Sequence, residues 1–192
     1  LAPERRQEVL DTAAREFAAR GYHETSANQV QAALGLSKGA FYYWFDDKED
    51  LFLTAVEDRL FVLLARLRGP TEAAFETEPF WDAMDIALRL AWTDVLAHPE
   101  DFALLQAMGS APVMASPRVR AHVEASLAWS AALLERGQAS GDVRTDLPAT
   151  LLATVLYGLL EALDRVVLVS SEDDPTRFVP LYLDLLQRVA RP

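Results

Sequence analysis

The side chains with the most specific chemistry crowd into one short run. Residues 22–51 read YHETSANQVQAALGLSKGAFYYWFDDKEDL, and they hold both lysines of the protein, Lys38 and Lys48, on either side of five consecutive aromatic residues. Ammonium groups, hydroxyls and helix N-termini hold phosphate, an aromatic face contacts a sugar or a thymine methyl, and a glycine lets a backbone come close. Elsewhere reactive groups are sparse. The three histidines, His23, His98 and His122, are far apart, and none stands in a metal-ligand spacing such as H-E-x-x-H. There is no cysteine, which excludes a thiolate nucleophile, an Fe–S cluster and a Cys-based zinc site. No G-x-S-x-G, P-loop or dinucleotide fingerprint occurs. His23 reads as a surface loop residue. His98, before Pro99, Glu100 and Asp101, reads as a helix-junction cap or as one limb of a His/Asp metal site. The expectation is a protein that is not an enzyme and uses no cofactor.

Charge limits the nucleic-acid reading. The net charge is −11, and the first fifty residues carry six basic against nine acidic side chains. Any attraction to DNA must therefore be local, through Lys38, Lys48 and helix dipoles, with Asp46, Asp47, Glu49 and Asp50 turned partly from phosphate. Charged residues run through Leu1–Arg20, which argues against a secretory signal. The longest uncharged apolar run, Leu147 to Leu160, is 14 residues, short of the ~18–20 that cross a bilayer. A cytoplasmic protein without a membrane partner is expected.

Positioning falls to helices. Hydrophobic residues make up 51% of the 192 positions, enough for a folded interior, and no segment alternates with period two. Val9, Leu10, Ala13, Ala14, Phe17 and Ala18 form one helix face, which Gly21 ends. Ser26 with Gln29 is a capping box for a short helix through Val30, Ala33 and Leu34, and Gly35 can close it in the left-handed conformation. Ser37 can cap the next helix, with Leu36, Ala40, Phe41 and Phe45 inside and Lys38, Gly39, Tyr42, Tyr43 and Trp44 outside. Three successive residues sweep about 200° of a helix, so Tyr42, Tyr43 and Trp44 cannot all point inward. This is a helix-turn-helix pattern; the competing reading is a helical hairpin whose aromatics only fill a core.

A long helix is predicted from Lys48 to Arg68, with Leu51, Phe52, Ala55, Val56, Leu60, Leu63, Leu64 and Leu67 inside and Gly69, Pro70 to Pro79 as the break. Five more follow: Phe80 to Ala97, Pro99 to Met108, Pro117 to Arg136, Leu147 to Ser170 and Pro175 to Ala190, with Asp146 and Asp174 as N-caps. The fold class is all-α with about nine helices.

The run from Arg6 through Leu51 resembles the DNA-binding domain of the TetR family of transcriptional regulators. The residues that carry the resemblance are Val9, Leu10, Ala13, Phe17, Gly21, Tyr22, Thr25, Ser26, Leu36, Ser37, Lys38, Gly39, Phe41, Tyr42, Phe45, Lys48, Glu49 and Leu51. The resemblance implies a three-helix DNA-binding domain over residues 1–50, joined by a long helix to an effector-binding and dimerisation domain over residues 51–192. Thr25 or Ser26 would hold phosphate. Ser37, Lys38, Gly39, Tyr42, Tyr43 and Trp44 would form the reading surface, and Lys48 a phosphate clamp. Trp44 departs from the His or Tyr often found at its position.

The resemblance also implies a homodimer on palindromic operator DNA, acting as a repressor released by a small apolar or amphipathic effector. Leu147 to Ser170 is apolar nearly all round, and the last helix has a broad apolar face. Leu156, Leu159, Leu163, Phe178, Tyr182 and Leu185 are the candidate dimer residues. Candidates for an effector cavity are Met84, Trp92, Phe102, Met108, Trp129 and Tyr157, with Met114 in the same group and Gln106, Ser126 and Ser130 as polar groups. A helical partner-binding module without DNA affinity, or a small all-α enzyme, stays open on the residues alone.

Overall fold

Nearly every apolar stripe in the sequence becomes one side of a helix. The computed structural model describes residues 3–109, 116–168 and 174–192. Among them are nine α-helices and no strand: α1 (Pro3–Glu24), α2 (Ala27–Ala33), α3 (Lys38–Trp44), α4 (Lys48–Thr77), α5 (Phe80–Ala97), α6 (Pro99–Gly109), α7 (Pro117–Ser140), α8 (Ala149–Leu168) and α9 (Val179–Ala190), with a 3-10 turn at Pro175–Phe178. Met114 and Ser170 lie outside the described residues. None of the described helices is long and apolar enough to cross a membrane.

Local punctuation acts where the sequence puts it. Gly21 breaks α1 with φ 75°, and Gly35 has φ 61° just after α2. Both halves of the Ser26–Gln29 capping box are formed, and the side chains of Ser37 and Asp174 accept from Ala40 N–H and Thr176 N–H. Two expectations fail. Helix α4 does not stop at Arg68 but continues through Gly69 and Pro70 to Thr77. Proline removes one backbone donor and crowds one carbonyl, a local cost of ~3 kcal/mol, and the burial of Thr71, next in the chain, and of Ala74, one turn on, opposes it. Asp146 caps no helix; it takes two hydrogen bonds from Arg144, and α8 begins after Pro148, whose carbonyl accepts from Leu151 and Leu152 N–H.

Contacts divide the chain into two compact units, one of Leu1–Arg66 with Val95–Arg120, the other of Leu67–Asp94 with Ala121–Pro192. Helix α6 thus packs with the N-terminal helices, against α1. Packing carries the first unit to Arg66, sixteen residues along α4 beyond the division at residues 50 and 51 expected from the sequence. The first unit is centred on Val9, Leu10, Ala13 and Phe17 of α1, Val30 of α2, Phe41 of α3, and Leu51, Phe52 and Ala55 of α4, all fully buried or nearly so. Phe52 meets Phe17 edge-on at 4.8 Å and Tyr22 at 5.0 Å. Leu64, expected inside, is exposed, and Leu53 is buried instead.

The second unit is pinned around the α7–α8 connection. Gln138 Nε2 donates to the carbonyls of Arg144 and Leu147, Trp81 Nε1 donates to Asp142 O at 3.1 Å, and Arg144 N–H donates to Ala190 O at 2.8 Å, tying down the end of α9. Tyr182 of α9 is buried, meets Trp92 edge-on at 6.0 Å and donates its hydroxyl to Asp164 of α8 at 2.8 Å. Burial raises the Asp164 carboxyl above its ordinary range, and burial together with that carboxylate holds the Tyr182 phenol protonated. At Gly137 of α7 a Cβ would stand 2.5 Å from Val143 Cγ2 and 2.6 Å from the Phe80 ring. Neither neighbour is free to retreat, since both are buried. Gly137→Ala should therefore destabilise the protein by ~1–3 kcal/mol despite alanine's better helix propensity. Urea denaturation checks this, and an unchanged midpoint would refute it.

Candidate nucleic-acid interface

The α2–turn–α3 segment is held from several sides. Gln31 Nε2 donates to Leu36 O at 3.1 Å across the turn, and Arg5 Nη2 of α1 donates to Leu34 O at 2.8 Å. Phe41 and Phe45 fill the inside of α3, 5.7 Å apart. With those two rings turned in, the other face of the helix has to turn out. Tyr43 is 79% exposed, Tyr42 47% and Trp44 39%, and Ser37, Lys38 and Gly39 are exposed beside them. The Lys38 ammonium lies 5.9 Å from the Tyr42 ring centroid, and Trp44 meets Tyr43 edge-on at 5.1 Å. The eight residues from Ser37 to Trp44 thus present a cation, a hydroxyl cap, two phenols and an indole to the outside.

Gly39 is informative because nothing inside the chain requires it. It lacks positive φ, and a Cβ there would meet no atom within 4 Å. A glycine in a helix costs about 0.5–1 kcal/mol relative to alanine, so its place on the outward face fits the close approach of a partner. Gly39→Ala should raise thermal stability slightly while weakening DNA binding. Calorimetric melting and a binding titration check the two halves, and full DNA affinity in the variant would contradict this role.

Two expected phosphate ligands are placed differently. Thr25 is 1% exposed, and its hydroxyl donates to Gly21 O at 2.9 Å, with Glu16 O at 3.2 Å also in range. It locks the end of α1 and is not available to a phosphate, which leaves Ser26 for that role; the Ser26 side chain is half-buried and already accepts from Gln29 N–H. The Lys48 ammonium donates to Tyr22 O at 3.0 Å and sits 4.2 Å from the Tyr22 ring centroid. It therefore joins the start of α4 to the end of α1, with two of its three N–H groups left for other partners. Burial, with Glu49 and Asp47 nearby, raises the Tyr22 phenol above its ordinary value. Of the acidic side chains beside α3, Asp47 accepts from Asp50 N–H at 2.9 Å, and Asp50 accepts from Asp46 N–H at 3.2 Å.

Residues 9–55 match the sequence profile described as "Bacterial regulatory proteins, tetR family". The HTH-type transcriptional repressor AcnR of Corynebacterium diphtheriae is 31% identical over 163 residues, spanning 82% of this chain and 77% of that one. The chain belongs to the TetR family. It is a TetR-type helix-turn-helix DNA-binding regulator. Similarity to the HTH-type transcriptional repressor Rv1474c of Mycobacterium tuberculosis extends over 190 residues at 28% identity, or 97% of this chain and 93% of that protein. The same fold occurs in the crystal structure of FadR from Bacillus subtilis in complex with stearoyl-CoA, with a TM-score of 0.74, 17% identity, and coverage of 94% of this chain and 97% of that one.

The remaining expected site residues separate into groups. Of the effector candidates, Phe102 and Met108 belong to the first unit and Met84, Trp92, Trp129 and Tyr157 to the second. Trp92 is buried against Tyr182, Trp129 donates its indole N–H to Glu72 at 3.2 Å, and Tyr157 is exposed on α8. Of the dimer candidates, Leu156 and Tyr182 are buried inside the second unit and cannot meet a partner, while Leu159, Leu163, Phe178 and Leu185 are half-buried. Exposed on α8 instead is a row of Leu151, Val155, Gly158, Ala162 and Val166, at i, i+4, i+7, i+11 and i+15, flanked by exposed Thr150, Thr154, Tyr157, Glu161 and Arg165. Leu181 of α9 is also exposed. Helical periodicity alone did not separate the covered side of α8 from this uncovered one. His98 starts α6, its carbonyl accepting from Asp101 and Phe102 N–H, and no group of three or more metal-binding side chains occurs among the described residues.

Proposed function

We propose that this TetR-family chain is a dimeric repressor that holds a palindromic operator through α3 and releases it when a small amphipathic molecule binds. The observation that carries this is the outward face of α3, where Lys38, Gly39, Tyr42, Tyr43 and Trp44 stand free of the core. Tyrosine and tryptophan faces suit thymine methyls and sugars, and Lys38 suits guanine or phosphate. Two copies are favoured by the apolar row of α8, ending in Val166 at 66% exposure. Rows of that kind mark association surfaces on water-exposed proteins. A repressor is favoured over an activator by the similarity to AcnR and Rv1474c, both named repressors.

The amphipathic effector class is supported by the fold shared with FadR, crystallised with stearoyl-CoA, and by the apolar helices of the second unit. A ligand releases DNA only by binding the non-binding state more tightly, and typical couplings of ~1–3 kcal/mol give roughly 5–150-fold weaker DNA affinity. Enrichment of a symmetric site from a random duplex pool tests the DNA reading. Calorimetric titration of long-chain acyl-CoA with and without that duplex tests the effector. Equal ligand affinity in the two titrations would remove acyl-CoA from consideration.

A further inference from the structure

We propose that Arg118, at the start of α7, is a positioning residue for the DNA-reading helix and acts through Asp50 on the turn that follows α3. This rests on the DNA-binding reading above. The Arg118 guanidinium donates Nε to Glu57 Oε1 at 2.8 Å, Nη1 to Asp50 Oδ1 at 2.8 Å, and Nη2 to both Thr54 Oγ1 at 3.1 Å and Glu57 Oε2 at 2.5 Å. Asp50, Thr54 and Glu57 lie on consecutive turns of one side of α4, so one planar fork grips the first two and a half turns of that helix. The far oxygen of Asp50, Oδ2, accepts from Asp46 N–H at 3.2 Å. Asp46 is the second residue beyond Trp44, the last of α3.

An unbroken chain of contacts thus runs from α7 through Arg118 and Asp50 to the backbone that sets where α3 ends. Arg118 itself is fixed at its base, because Ser116 Oγ accepts from Arg118 N–H at 3.3 Å and Ser116 O accepts from Arg120 N–H at 3.1 Å. The two carboxylates keep its charge strongly favoured, Glu57 the more so. Core packing fixes the inner side of α3 through Phe41 and Phe45 but leaves its tilt about that hydrophobic contact to the polar links at its ends. On the α4 side those links are Asp46 N–H to Asp50 Oδ2 and Asp50 N–H to Asp47 Oδ1, and the Asp50 side chain is held in turn by Arg118.

The test uses the whole protein, wild type and the variants Arg118→Ala, Arg118→Lys, Asp50→Ala and the double alanine variant. Each is titrated with a duplex enriched by the wild type and with a scrambled duplex, over a range of salt, and the exchange of the Asp46 amide is followed by NMR. Arg118→Ala should weaken the enriched duplex by roughly 2–30-fold, more than the scrambled one, with the salt slope unchanged and the Asp46 amide exchanging faster. Arg118→Lys, which keeps charge but has no fork, should recover part of the loss. The two single losses should not add in the double variant. An Asp46 amide that exchanges as in the wild type, or unchanged affinity for the enriched duplex, would overturn the proposal. So would a salt slope reduced by about one, since Arg118 would then be a direct phosphate contact. If Arg118→Ala does not fold, Arg118→Lys, which keeps the charge beside Glu57 but cannot hold Asp50 and Glu57 together, decides by the same readouts, with a partial loss at the enriched duplex and a faster Asp46 amide expected. If the wild type enriches no duplex, the DNA-binding reading fails, and the exchange of Asp46 still decides whether Arg118 holds the turn.

Discussion

Val155→Asp should yield a folded monomer whose affinity for a two-half-site duplex is lower by about 10²–10⁴-fold, although no residue near α3 has changed. Val155 is 46% exposed in the middle of the α8 row formed by Leu151, Gly158, Ala162 and Val166. Placing a charge there leaves the core untouched, and a Cβ at Gly158 would meet nothing within 4 Å, which leaves room for a second helix to come close. In a two-fold dimer each such residue is used twice, so one carboxylate in each chain puts two like charges into an apolar contact. Losing the dimer removes the high effective concentration with which the second α3 finds its half-site, and that term alone is worth the loss stated. Analytical ultracentrifugation and titration of the same sample check both parts. A monomer that still binds the full site tightly, or a dimer untouched by the substitution, would contradict the assignment of α8.

Tyr43→Ala should be the most damaging single change on the reading surface. Tyr43 is the most exposed of the three outward aromatics and is braced by Trp44. Its removal costs no core packing, so stability should change by no more than about 0.5 kcal/mol. A base-edge or sugar contact is worth about 1–3 kcal/mol per half-site. With two copies on one duplex the loss doubles to ~2–6 kcal/mol, roughly thirtyfold or more at the enriched site, against a small change on scrambled DNA. Titration of both duplexes checks this. Equal loss on the two would make Tyr43 a nonspecific contact, and no loss on either would exclude it from the interface.

What the sequence made legible is governed by its short-range physics. The capping box at Ser26, the stop at Gly35 and the cap at Ser37 each depend on three or four neighbouring residues, and all act as read. Helix geometry alone requires that Tyr42, Tyr43 and Trp44 not all point inward, and all three are exposed. What was not legible depends on distant partners. Proline at position 70 reads as a break, and only the burial of Thr71 and Ala74 explains why α4 passes through it. A phosphate role for Thr25 looks open until the carbonyls of Glu16 and Gly21 are seen against its hydroxyl. Helix α8 is apolar on nearly all sides, so periodicity could not tell that Leu156 is covered by its own chain and Val155 is not. Arg118 lies 61 to 68 residues from its α4 partners and carries no local mark of its role.

In the proposed function, two α3 helices of a symmetric dimer read successive major grooves. Guanine-methylation interference on the duplex enriched by the wild-type protein measures this most directly, because it reports which major-groove edges are covered. The expected result is two equivalent groups of interfering positions related by a two-fold axis, centred about 34–36 Å apart or a multiple of that spacing, and both lost together in Val155→Asp. A single asymmetric group of positions, or a symmetric pattern that persists in the monomeric variant, would contradict the account.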